Sequence, residues 1–151
     1  MIFFYQPIVS LAPDGGDYLL ISRPEIPVTV IGAIGEGTYL GLVDTGSDNT
    51  ILPKSVADRL GVPMASAPGP PATVFGGHRV ELLVGQVTLQ LEAGGEVLRW
   101  SAQVYFHDFA DEEAETVILG HSGFLDYFTA TFDGKQGTLN LIPNDELPSV
   151  S

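Results

Sequence analysis

The chain has 151 residues, 44% of them apolar, which suits one domain around a single core and is too apolar for a disordered segment. A formal net charge of −13 repels phosphate backbones and argues against a nucleic-acid partner. No cysteine is present, which excludes disulfides, thiolate nucleophiles and zinc sites built on cysteine.

Eighteen glycines and 11 prolines punctuate the chain too often for long helices and favour short strands joined by turns. The chain opens on Ile2-Phe3-Phe4-Tyr5, but Gln6 and Pro7 interrupt that run and the first basic residue is Arg23. No secretory leader and no membrane span are therefore expected, and the expected location is cytoplasmic, without a membrane partner. Residues 1–25 carry two apolar patches, 2–9 and 18–21, separated by the turn Pro13-Asp14-Gly15-Gly16. They are expected to form an N-terminal extension, packed on or swapped with a domain spanning residues 26–151.

Ile26, Val28 and Val30 share one face at period two. Gly35-Glu36-Gly37 reads as a hairpin turn, and residues 38–43 as the returning strand, which runs straight into Asp44. Ile51-Leu52-Pro53 reads as a short strand. Residues 54–60 read as a two-turn helix, with Ser55 as N-cap, Asp58 completing a box-like pattern and Gly61 as the stop. Residues 65–72, rich in proline and small side chains, read as a loop. Thr73-Val74-Phe75, then Gly76-Gly77, then residues 78–84 read as a hairpin with a glycine tip.

Val87, Leu89 and Leu91 alternate with polar residues, as do Trp100, Ala102, Val104 and Phe106 after the turn Ala93-Gly94-Gly95-Glu96. Asp108, Asp111, Glu112, Glu113 and Glu115 crowd one stretch that reads as a solvated loop. Residues 115–119 read as a strand ending at Gly120, residues 122–127 as a short helix, and residues 128–142 as a closing hairpin around Asp133-Gly134-Lys135-Gln136-Gly137. Many short strands with small helices at 54–60 and 122–127 predict an all-β fold, either a barrel or a closed sandwich.

The segment with chemistry in it is Leu42-Val43-Asp44-Thr45-Gly46-Ser47. An apolar strand delivers Asp44 into a tight loop. Gly46 lets the backbone approach the carboxylate, and its N–H can bond to it. Thr45 offers a hydroxyl that can brace this loop or a neighbouring copy. A second carboxylate beside Asp44 would force the pair to share one proton, so that one acts as base and the other as acid. On its own, Asp-Thr-Gly is equally a solvent-facing turn.

Its context adds specificity. A glycine-tipped hairpin lies downstream, and beyond it Val117-Ile118-Leu119-Gly120 ends in glycine before a short helix. In this order the parts resemble the retropepsin-like aspartic proteases, over about residues 26–142, and the closing segment resembles the end of a pepsin-type lobe. The resemblance implies a closed acid-protease-type barrel, one lobe of an aspartic protease, with Asp44 as the catalytic carboxylate. It implies that Thr45, Gly46 and Ser47 support the loop. The flap would be Val74, Phe75, Gly76, Gly77 and His78, while Ile118, Leu119 and Gly120 would pack beneath the loop. His121 stands where that family often has arginine, and a contact between His121 and Asp48 is expected; a helix-capping role for His121 is the competing expectation. One Asp-Thr-Gly per chain implies a homodimer. The implied activity is endopeptidase cleavage of an extended peptide or protein substrate, with no metal or other cofactor.

Other readings compete. A catalytically silent domain of the same fold could serve as a dimerisation or peptide-binding module. A calcium loop counted from Asp44 would need glycine at Asn49 and glutamate at Ser55, and fails. His78, His107 and His121 lack metal-ligand spacing. Gly120-His121-Ser122-Gly123 does not complete the Gly-x-Ser-x-Gly pattern of a serine hydrolase, because Phe124 stands at the last position.

Overall fold

A computed structural model describes residues 1–73, 77, 79–112 and 115–150. The first third holds β1 (Ile2–Phe4), β2 (Gln6–Leu11), β3 (Tyr18–Arg23), β4 (Glu25–Ile31), β5 (Glu36–Val43) and β6 (Ile51–Pro53). Helix α1 (Lys54–Leu60) follows, then the short strands β7 (Ala65–Ser66), β8 (Ala72–Thr73) and β9 (Arg79–Val80). Two long strands, β10 (Leu83–Ala93) and β11 (Glu96–His107), precede β12 (Val117–Leu119), β13 (Phe128–Asp133) and β14 (Thr138–Pro143).

The fold is all-β. Strands β11, β6, β12, β5, β4 and β10 pair in that order, and β10 pairs back to β11, which closes a six-stranded barrel. The period-two pattern sets what fills it. Ile26, Val28 and Val30 of β4, Leu89 and Leu91 of β10, and Trp100, Ala102, Val104 and Phe106 of β11 all point inward and are buried. Trp100 donates its indole N–H to the Gly123 carbonyl at 3.0 Å and packs edge-on to Phe128. A second sheet, β1-β14-β13, closes one end through Phe3, Leu139 and Leu141. Among the described residues the β2–β3 hairpin pairs with no other strand.

Turn chemistry places the hairpins. Ala93 pairs with Glu96 across Gly94 and Gly95, both at positive φ (59° and 81°), as a two-residue primed turn requires. Asp133 accepts backbone N–H bonds from Lys135 and Gln136 and so folds the closing turn where the sequence put it.

Several local expectations are corrected. The turn after β4 spans residues 32–35 rather than 35–37, since Ile31 already pairs with Glu36. This turn docks on α1, where Ile34 N–H donates to the Leu60 carbonyl. Ser55 does not cap α1: Pro53 holds that position with no side-chain bond, because β6 runs directly into the helix. Gly61 does end it, in the left-handed region at φ 67°. Residues 122–127 do not form a helix; Gly123 at φ 88° breaks the run and leaves only a 3-10 turn, Leu125–Tyr127. The loop 65–72 contains β7, which pairs with the start of β10. The strand expected over 78–84 divides into β9 and β10. Among the described residues no helix is long and apolar enough to cross a membrane.

Candidate active site

Strand β5 carries Asp44 at its C-terminal end and lies between β4 and β12. It pairs parallel to β12, with Gly41 opposite Val117, Leu42 opposite Ile118 and Val43 opposite Leu119. Parallel pairing this tight needs a residue without a side chain at Gly41, where a Cβ would lie 2.7 Å from Leu119 Cδ1. Backbone bonds continue past the strand. Val43 N–H donates to the Pro24 carbonyl at 2.9 Å, and Asp44 N–H to the Leu119 carbonyl at 3.0 Å. Asp44 is thus held by its main chain on both flanks.

The loop closes on itself. Gly46 N–H donates to Asp44 Oδ1 at 2.8 Å, and Ser47 N–H to the Asp44 carbonyl at 3.2 Å. The first bond orients the carboxylate, the second closes the main-chain turn, and Oδ2 is left without a hydrogen bond among the described residues. Asp44 is half-buried, whereas Thr45 and Gly46 are exposed. Ser47 turns its hydroxyl back to the Asn49 carbonyl at 2.8 Å.

Below the loop runs the strip after β12. His121 N–H donates to the Ser47 carbonyl at 3.0 Å and Ser122 N–H to the Asp48 carbonyl at 2.9 Å. Gly120 makes this approach possible, since a Cβ there would meet the Asn49 carbonyl oxygen at 2.2 Å. Leu119 and Gly120 are buried beneath the loop. Ile118 instead faces the cleft, half-exposed.

The expected contact between His121 and Asp48 is corrected. The His121 ring donates through Nε2 to the Thr45 carbonyl at 3.0 Å, and its Nδ1 stands 3.7 Å from Asp126 Oδ1. Asp48 is exposed and touches this strip through its carbonyl alone. His121 thus links the Asp44 loop, through the Thr45 carbonyl, to Asp126. A chain turn within five residues brings Asp126 to it, a local proximity that the sequence reading passed over.

Asp44 opens onto a cleft of about 650 Å³. Its walls include Asp48, Ile51, Tyr105 and Ile118, the proline-rich segment 66–71, and Glu81 to Leu83. Sequence reading missed Tyr105 and the proline-rich wall. The alternation of Trp100, Ala102, Val104 and Phe106 inward does place Tyr105 on the opposite face, which was the available signal. Of the expected flap, Val74, Phe75, Gly76 and His78 lie outside the described residues. The stem is described: Ala72 pairs with Val80 and Thr73 with Arg79, and Gly77 has φ 75°. Among the described residues no group of three or more His, Asp or Glu is placed to hold a metal ion.

A family model described as an aspartyl protease matches residues 26–122, well over half of the chain. The chain belongs to the aspartyl protease family. The matched span begins inside β4 and reaches the strip beneath the Asp44 loop, so it contains all of β5 and β12 and the loop that carries Asp44. Solved structures similar to this chain include EIAV protease complexed with the inhibitor HBY-793, at 23% identity and a TM-score of 0.46, covering 66% of this chain and 82% of that one. The retroviral protease-like domain of Ddi1 from Leishmania major is similar at 18% identity and a TM-score of 0.44, over 84% of this chain and 99% of that one. No curated protein matches the chain.

Proposed function

We propose that this aspartyl protease is one half of an aspartic endopeptidase, active as a homodimer in which two Asp44 carboxylates face one another. The observation that supports this most directly is the setting of Asp44. Its carboxylate is half-buried, pinned through Oδ1 by Gly46 N–H, without a hydrogen bond at Oδ2 among the described residues, and open to a cleft large enough for peptide side chains.

Two carboxylates brought close share a single proton, because a second negative charge there is disfavoured. The ionised one takes a proton from a water molecule. The water oxygen then bonds to the scissile carbonyl carbon while the protonated carboxyl donates to the carbonyl oxygen. The resulting tetrahedral diol collapses when the newly protonated carboxyl gives its proton to the amide nitrogen, the other carboxylate takes a proton from one diol hydroxyl and the C–N bond breaks, which releases acid and amine and restores the one shared proton. Backbone pinning keeps the two acids from turning away, so little reorganisation is needed at the moment of reaction. Substrate lies extended across the pair, bound by backbone hydrogen bonds, with side chains taken by the cleft. In this reading Thr45, exposed beside Asp44, braces the mate's loop, and residues 72–80 form the flap.

Digestion of a peptide library at several pH values, with Asp44→Asn as control, tests the proposal. Cleavage by the wild type that Asp44→Asn lacks is the expected result. No cleavage by a verified dimer at any pH favours a silent dimerisation or peptide-binding module, and equal cleavage by Asp44→Asn removes the residue from the chemistry.

A further inference from the structure

The core does not use the β2–β3 hairpin. No residue from 6 to 25 belongs to the hydrophobic core cluster, which passes from Phe3 directly to Ile26. Yet the hairpin is strongly apolar. Val9 pairs with Leu20 and Leu11 with Tyr18, so these four side chains share one face. They are 65%, 72%, 62% and 73% exposed, respectively. Four large side chains so exposed present on the order of 500 Å² of apolar surface, at the upper end of what a monomer leaves uncovered. An isolated two-stranded hairpin is also marginal in water and gains order by being covered.

Its position and charge indicate what covers it. The hairpin base is joined to the catalytic strand: Val43 N–H donates to the carbonyl of Pro24, the residue after β3, and Asp44 follows at once. The hairpin thus springs from the edge of a site that holds one carboxylate where two are needed. The other end of the hairpin continues through Tyr5 into β1, where Ile2 and Phe4 are also exposed. Between Gln6 and Leu11, and between Tyr18 and Ser22, there is no charged side chain. Two copies each carrying −13 repel over most of their surfaces, so they can meet closely only where charge is absent. A strongly charged partner finds no complement on this face.

We infer that the β2–β3 hairpin is a dimer arm, whose Val9, Leu11, Tyr18 and Leu20 face packs on a second copy of this chain and holds the two Asp44 loops together. The inference rests on the dimeric reading of the site given above. The hairpin face supplies more than half of the roughly 800 Å² per partner that a standard interface uses, and the active-site loop with Thr45 adjoins it. Substitution of all four residues by threonine puts strand-favouring β-branched side chains at every one of these positions and leaves the barrel core untouched.

Sedimentation of the full chain at a series of concentrations reads the dimer constant. The fourfold threonine variant is expected to raise it on the order of 100-fold or more, with an unchanged far-ultraviolet spectrum. Hydrogen exchange on the wild type is a second measurement that needs no variant: amides of residues 8–11 and 18–21 are expected to slow as protein concentration rises through the dimer constant. A wild type that stays monomeric overturns the dimeric reading itself. A wild type that dimerises, with an unchanged constant in the variant or hairpin exchange indifferent to concentration, overturns the arm alone. Slowing that needs added peptide assigns the face to substrate and overturns it equally.

Discussion

Gly120→Ala isolates the link between packing and the candidate site. At this residue φ lies in the ordinary region, so the need for glycine is one of space. An added Cβ would lie 2.2 Å from the Asn49 carbonyl oxygen, 2.6 Å from that of Ser47 and 2.7 Å from the Asn49 carbonyl carbon. All three atoms are backbone, so no side chain can swing aside. Restoring ordinary contact distances moves the 47–49 segment by about 1 Å. That segment is tied by His121 N–H to Ser47 (3.0 Å), Ser122 N–H to Asp48 (2.9 Å) and Thr50 N–H to Ser122 (3.0 Å). A shift of about 1 Å takes such bonds beyond useful length. Two or three bonds at about 1 kcal/mol each, added to about 1–3 kcal/mol of overpacking, give a destabilisation of about 3–6 kcal/mol. Urea unfolding measures this, with a fall in Tm of roughly 10 °C as the thermal counterpart. Gly134→Ala is the control: nothing lies within 4 Å of its would-be Cβ, and a change within about 0.5 kcal/mol is expected. A Gly120→Ala protein within about 1 kcal/mol of wild type would refute the claim that this strip clamps the Asp44 loop.

Asp44→Asn keeps the shape of the side chain and an oxygen for Gly46 N–H, so the fold is expected to hold while kcat/KM falls by about 10³-fold or more; peptide cleavage and a thermal melt together check it. Trp100→Phe removes the indole donor and leaves the Gly123 carbonyl unpaired in a fully buried place. A loss of about 2–4 kcal/mol in urea unfolding is expected, and a loss near zero would mean that water replaces the donor. Thr50 is fully buried, with no partner for Oγ1 among the described residues, so Thr50→Val is expected to be neutral or stabilising by about 1 kcal/mol. A clear destabilisation would show that its hydroxyl has a partner in solution.

The sequence by itself determined the barrel's inner face and the identity of the candidate carboxylate. Period-two runs such as Ile26, Val28 and Val30 are buried as read, because a strand must put alternate residues on one side. Asp-Thr-Gly after an apolar strand was legible because its bonds are local: Gly46 N–H reaches Asp44 from two residues away. Tertiary structure decided the rest. Ser55 looks like an N-cap in sequence, but the chain enters α1 from β6 through Pro53. His121 faces Asp126 and the Thr45 carbonyl rather than Asp48, since the break at Gly123 folds the chain back as a 3-10 turn instead of a helix. The cleft wall at Tyr105 and residues 66–71 unites segments far apart in the chain. Local pattern records which face a residue occupies and which neighbour it can bond. It does not record which distant strand will lie alongside, and it is that parallel placement of β12 beside β5 that turns one aspartate in a turn into a fixed, half-buried acid.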